Sequence, residues 1–182
     1  MPLGTPSSQV PIPQRPTGST RGSLGFPVVG LGASAGGLDA FRRFFETVPA
    51  DSGMAYILIQ HLDPTHESMM VGLLTGHAPM AVRQAADGML VEPNQVYVIA
   101  PGTYLAIEAG ALRLSEPLAR HGARLPLDFF LHSLANAYGE RAVAVILSGT
   151  GGDGSLGLRA IKERGGCAIA QDPEEAAFDG MP

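Results

Sequence analysis

The chain has 182 residues and a formal net charge of −5, and no cluster of Lys and Arg stands out, so nucleic acid is not an expected partner. Hydrophobic residues make up 45% of the chain, which suffices for one folded domain and excludes wholesale disorder. The apolar runs are too short to span a bilayer and no secretory signal is visible, so we expect no membrane insertion and a cytoplasmic location.

Residues 1–25 differ in composition from the rest of the chain. Proline mixes there with Ser, Thr, Gly and Gln, and apolar residues are sparse, so burial could not offset the entropy lost on ordering. We predict a disordered leader or linker at residues 1–25 and one folded domain at residues 26–182.

From Phe26 onward, apolar runs alternate with segments of helical periodicity. Strands are predicted at residues 26–31, 54–60, 142–148 and 167–170, and helices at residues 38–48, 67–74, 127–138 and 155–164. Short runs between residues 80 and 114 predict further strands and a hairpin. This pattern indicates an α/β fold, a doubly wound and mostly parallel sheet with helices on both faces in three layers, plus a short β-hairpin region.

The single cysteine, Cys167, is interpreted as a small core residue of a buried strand.

The first predicted strand runs through a glycine-rich segment directly into a helix. Gly32-Ala33-Ser34-Ala35-Gly36 fits the G-x-S-x-G turn, in which small neighbours expose a serine nucleophile at the start of a helix. The overlapping pattern Gly30-x-Gly32-x-x-Ala35 also fits the dinucleotide-binding fingerprint. Taken alone, the segment is explained equally well by a glycine-rich turn without chemistry.

Two other strand ends favour the nucleophile. The second strand ends in Gln60-His61, without the acidic residue that a dinucleotide fold uses for ribose, and a histidine there could act as the base for Ser34. The strand at residues 142–148 continues into a glycine-rich loop that contains Asp153. Asp153 could orient the imidazole, or it could simply lie at the N-terminus of the next helix. Backbone N–H groups of this loop could help to bind an oxyanion.

These residues match a known family. Segments 28–37, 60–61 and 148–154, together with the closing Gly180-Met181-Pro182, resemble the catalytic domain of the chemotaxis protein-glutamate methylesterases (CheB-type). The sequence of residues 60–64 is most similar to the branch of this family that is fused to methyltransferase and sensory modules. The resemblance implies a serine esterase of chemotaxis signalling that hydrolyses glutamyl methyl esters on chemoreceptors and often deamidates receptor glutamines. The enzyme that the resemblance implies needs no cofactor or metal.

The resemblance also assigns roles to residues. It implies that Ser34, His61 and Asp153 form a catalytic triad, that Thr150 supplies an oxyanion-binding backbone N–H, and that Arg124 lines the cleft.

The chain also departs from the family pattern. Ala35 follows the nucleophile where chemotaxis members usually have threonine. Family members commonly carry an N-terminal receiver domain, and the family's domain continues beyond the position of Pro182, so we expect the domain to be truncated at its C-terminus.

Two alternatives stay open. A metal-dependent hydrolase could use His61, Asp63 and His66 as ligands, although Pro64 interrupts the helical spacing of known zinc motifs. A catalytically degenerate sensory or binding module could keep the fold without the ester chemistry, but the presence of all three triad residues argues against it. Chelation would abolish the activity of a metal enzyme and leave a serine triad untouched.

Overall fold

The computed structural model describes residues 25–60, 69–116 and 125–182. Apart from Gly25, the predicted leader lies outside the described residues. In chain order the elements are β1 (Val28–Ala33), α1 (Gly37–Glu46), β2 (Ala55–Gln60), α2 (Met70–Leu74), β3 (Ala81–Gln84), β4 (Gln95–Val98), β5 (Tyr104–Glu108), β6 (Ala111–Ser115), α3 (Pro126–Tyr138), β7 (Ala142–Ile146), α4 (Ser155–Glu163) and β8 (Cys167–Ala170). None of the described helices is long and apolar enough to cross a membrane.

The main sheet has the strand order β3-β4-β2-β1-β7-β8, and every neighbouring pair in it is parallel. Strands β5 and β6 form a separate antiparallel hairpin. Because β1 lies between β2 and β7, the carboxyl ends of these three strands meet at one edge of the sheet. Ligands of open α/β sheets bind at this edge.

Helices cover both faces of the sheet. Along β1, Val28 packs in the core formed with α3 and α4, whereas Val29 and Leu31 pack in the core formed with α1 and α2. This alternation follows from the two-residue repeat of a strand. The predicted three-layer α/β fold with a hairpin is therefore confirmed.

Strand β1 continues two residues beyond its predicted end at Leu31 and includes both Gly30 and Gly32. A Cβ atom at Gly30 would lie 2.8 Å from Cε1 of Phe130, and one at Gly32 would overlap the side chain of Leu127. These glycines therefore let α3 pack directly against the centre of the sheet. A local sequence pattern cannot show whether a glycine is needed for helix packing or for a turn.

The interpretation of Cys167 as a core residue is wrong. Strand β8 pairs with β7 and forms an edge of the sheet, where Cys167 is exposed and Ile169 is 48% exposed. A short apolar run looks the same whether its strand is central or at an edge. The strand order, which a local pattern does not encode, places this run at an exposed edge.

The contact between α3 and α4 depends on Gly157. A Cβ atom at Gly157 would lie 2.5 Å from Cβ of Leu131, an atom that cannot move without the helix backbone. We expect Gly157→Ala to lower the free energy of unfolding by about 1–3 kcal/mol, because overpacking outweighs the better helix propensity of alanine.

Gly72 in α2 provides the matched control, since a Cβ atom there would have no described neighbour within 4 Å. Gly72→Ala should be neutral or should stabilise the protein by up to about 1 kcal/mol. Urea denaturation of both variants measures the difference. A Gly157→Ala variant as stable as the wild type would contradict the close packing of the two helices.

Candidate active site

Ser34 lies in a tight turn between β1 and α1. Its carbonyl accepts the backbone N–H of Gly37 at 2.9 Å, and Gly36 has φ 71° and ψ 4°. These are the angles of the third residue of a type II turn, which favours glycine because φ is positive. Ser34 itself is partly exposed, and α1 begins three residues later. The local structure is the strand-turn-helix that the G-x-S-x-G pattern requires.

The loop after β7 runs alongside Ser34. The backbone N–H of Ser34 donates to the carbonyl of Ser148 at 3.1 Å, and a Cβ atom at Gly149 would lie 3.1 Å from Cβ of Ser34. Glycine at position 149 therefore allows this loop to approach the serine closely. Thr150, the predicted oxyanion donor, is the next residue along the chain and is exposed.

Asp153 is held by the N-terminus of α3. Asp153 is 7% exposed, its Oδ2 accepts the backbone N–H of Leu127 at 3.0 Å, and its Oδ1 accepts that of Asp128 at 2.9 Å. The partial positive charge of a helix N-terminus stabilises a carboxylate there. Both hydrogen bonds come from backbone N–H groups of α3. They do not come from α4, the next helix along the chain, at whose N-terminus the sequence also allowed Asp153 to lie. A carboxylate offers about four lone-pair sites, so it can accept an imidazole N–H as well as backbone N–H groups.

Helix α4 donates a hydrogen bond to α3 near the start of both helices. Asp128 is 6% exposed, and its Oδ1 accepts the backbone N–H of Gly157 in the first turn of α4 at 2.7 Å. Leu127 lies between the two parts of the site, because Cβ atoms at Gly32 and at Gly154 would both overlap its side chain. The start of α3 thus ties the Asp153 loop to β1, two residues before Ser34.

His61 and Arg124 lie outside the described residues, as do the alternative ligands Asp63 and His66. The residue before His61, Gln60, pairs in register with Ala33, the residue before Ser34. The chain therefore leaves β2 and β1 at the same level of the sheet. Within the part of the chain that the structure describes, no three His, Cys, Asp or Glu side chains are grouped to hold a metal ion.

No sequence pattern predicted the contacts that Ser148 and the C-terminal segment, residues 177–182, make beside Ser34. The N–H of Gly149 donates to the carbonyl of Phe178, and the N–H of Met181 donates to the carbonyl of Gly149, both at 3.0 Å. The side chain of Met181 also packs where a Cβ atom of Gly149 would be. Only the family resemblance indicated residues 180–182, because no spacing relates them to Ser34.

Comparison with known proteins agrees with this architecture. A sequence model of the family described as CheB methylesterase matches residues 29–182. A protein-glutamate methylesterase/protein-glutamine glutaminase 2 of Burkholderia pseudomallei (strain 1710b) is 34% identical, with 100% of this chain and 51% of the relative covered. A 104.1 kDa protein of Rhodobacter capsulatus is 47% identical over 62% of this chain, which corresponds to 12% of that protein.

This chain spans about half the length of the methylesterase relatives that it matches. Among solved structures, the crystal structure of the Thermotoga maritima CheB methylesterase catalytic domain superposes with a TM-score of 0.78 and 31% sequence identity. That match covers 87% of this chain and 86% of the Thermotoga chain. On the family match and these likenesses, the chain belongs to the CheB methylesterase family.

Proposed function

We propose that residues 26–182 form the catalytic domain of a cytoplasmic serine hydrolase of the protein-glutamate methylesterase type. Its substrates are glutamyl methyl esters on a methylated chemoreceptor or a related sensory protein, with glutamine deamidation as a second activity of the same site. The observation that carries the proposal is the position of Ser34, in a tight strand-to-helix turn against the glycine loop that leads to Asp153. The names of the methylesterase/glutaminase relatives support the substrate class.

In the proposed reaction, Ser34 Oγ attacks the ester carbonyl carbon while His61 accepts the hydroxyl proton. The tetrahedral intermediate collapses, the C–O bond to the methoxy group breaks, and His61 gives its proton to the departing oxygen, which leaves as methanol. Water then attacks the acyl carbon while His61 takes its proton, the C–O bond to Ser34 breaks, and His61 returns the proton to Ser34 Oγ. The glutamic acid product leaves and ionises to the carboxylate. Asp153 orients the imidazole and stabilises its cation.

The negative charge on the carbonyl oxygen needs hydrogen-bond donors. We assign this role to the backbone N–H groups of Ala35 and Thr150, which belong to the two segments that adjoin Ser34. The N–H after the nucleophile serves this purpose in other enzymes with a G-x-S-x-G turn. Each such donor contributes about 3 kcal/mol to the stabilisation of the transition state.

Arg124 is the proposed cleft-lining residue. The domain is also proposed to work beside methyltransferase or kinase modules of a larger protein.

A fluorophosphonate probe tests the proposal. We expect one covalent adduct, mapped to Ser34 by peptide mass spectrometry, because a base-activated serine attacks phosphorus as it attacks an ester. EDTA should leave the labelling unchanged, and Ser34→Ala should abolish it.

The other outcomes discriminate the alternatives. Loss of ester hydrolysis with EDTA would favour the metal-dependent hydrolase that uses His61, Asp63 and His66. A folded protein that the probe does not label and that does not hydrolyse an ester would favour the degenerate binding module.

A further inference from the structure

Ser148 contacts the backbone on both sides of the proposed nucleophile. Its carbonyl accepts the N–H of Ser34 at 3.1 Å, and its side-chain hydroxyl donates to the carbonyl of Ala35 at 2.9 Å. Ser148 is 1% exposed and is one of the few buried polar residues described. A buried hydroxyl is costly unless it is hydrogen-bonded, so these bonds hold the side chain in one orientation.

The hydroxyl of Ser148 binds the peptide that decides the type of turn. The Ala35 carbonyl belongs to the central peptide of the turn, and the positive φ of Gly36 without a positive φ at Ala35 identifies a type II turn. Type I and type II turns differ in the orientation of this central peptide. The bond from Ser148 to Ala35 therefore favours one of the two orientations. The turn packs against this hydroxyl, since a Cβ atom at Gly36 would lie 2.8 Å from Ser148 Oγ.

The same hydroxyl connects the turn to the C-terminal segment. Ser148 Oγ accepts the backbone N–H of Phe178 at 3.0 Å, and the Ser148 N–H donates to Oε1 of Gln171 at 2.8 Å. A hydroxyl has one hydrogen and can also accept, so Ser148 Oγ accepts from Phe178 while its own hydrogen points to Ala35. Three segments distant in sequence thus meet at one buried oxygen atom.

We propose that Ser148 is a positioning residue for Ser34, holding the nucleophile turn in its type II conformation and linking it to the segment after β8. The inference rests on the proposed function, since the property that it sets is the reactivity of Ser34. Without the hydroxyl, the Ala35 carbonyl and the Phe178 N–H each lose a partner, and the turn peptide is released. A displacement of about 1 Å at a reacting group can cost roughly 100-fold in rate.

Ser148→Ala is the test, and Ser133→Ala is the matched control. Ser133 Oγ likewise donates to a backbone carbonyl, that of Phe130 at 2.7 Å, and accepts a backbone N–H, that of Ile107 at 3.0 Å, but it lies between α3 and β5. The two variants therefore lose hydrogen bonds of the same donor and acceptor types in different places, with Ser133 the less buried of the two residues. Phosphonylation of full-length protein is followed over a range of fluorophosphonate concentrations, at a temperature where thermal melts show every variant folded.

We expect Ser148→Ala to lower the maximal labelling rate roughly 10- to 100-fold, with little change in the half-saturating probe concentration. Ser133→Ala should label at the wild-type rate. Ser148→Cys, which keeps a weak donor and acceptor at the same position, should fall between wild type and Ser148→Ala, and it replaces the alanine variant if that variant does not fold.

A wild-type rate in Ser148→Ala, or in Ser148→Cys where the alanine variant does not fold, would overturn the positioning role and leave the proposed function intact. Equal losses in Ser148→Ala and Ser133→Ala would also overturn it, because reactivity would then follow general stability. Absence of labelling in the wild type would instead overturn the proposed function itself.

Discussion

Replacing Ser34 by alanine is expected to reduce the hydrolysis of a glutamyl methyl ester to background, a loss on the order of 10⁴- to 10⁶-fold in kcat. The variant lacks the atom that forms the acyl-enzyme, whereas the turn around it is held by backbone bonds that alanine keeps. His61→Ala should be similarly inactive, and the double variant should be no worse, because nucleophile and base act as a unit.

Methanol release from a peptide with a glutamyl methyl ester measures this loss. Ser115→Ala, which changes an exposed serine at the end of β6, is the control and should keep wild-type activity. Substantial turnover by a folded Ser34→Ala variant would contradict the triad. An inactive double variant with two half-active single variants would show that Ser34 and His61 do not act in one step.

The parts of the fold visible in the sequence are those encoded by local patterns. The turn at Ser34 is compact in sequence, and Gly36 satisfies its one demanding backbone angle, so a five-residue motif sufficed to find it. The alternation of strands and helices was predictable for the same reason. Strand order was not encoded locally, and this explains the wrong interpretation of Cys167, whose strand lies at the edge of the sheet.

The supports of the site depend on distant residues and could not be predicted from spacing. Asp153 binds backbone groups of α3 that precede it by 26 and 25 positions, and Ser148 Oγ binds Ala35, 113 positions away. Such partners are set by how the elements pack. The sequence indicated that a carboxylate follows β7, but the helix that holds it became visible only in the fold.

Asp153 is expected to serve stability and chemistry together, and Asp153→Asn separates the two. Both carboxylate oxygens accept backbone N–H groups, at 3.0 Å and 2.9 Å, so an amide NH₂ would face one of these donors in place of an oxygen. We expect the variant to lose about 1–3 kcal/mol of unfolding free energy, since a buried donor is left without its acceptor. Asp128→Asn should cost less, because asparagine keeps an oxygen for the bond from Gly157.

The effect of Asp153→Asn on activity should exceed its effect on folding. With the carboxylate gone, His61 is no longer held in the tautomer that accepts the serine proton, and we expect kcat to fall on the order of 10⁴-fold. Urea denaturation and ester hydrolysis, measured below the melting temperature of every variant, distinguish this loss from unfolding, and Asp128→Asn should remain active. If folded Asp153→Asn hydrolyses the ester at nearly the wild-type rate, another carboxylate orients His61, and Asp63 becomes the next candidate.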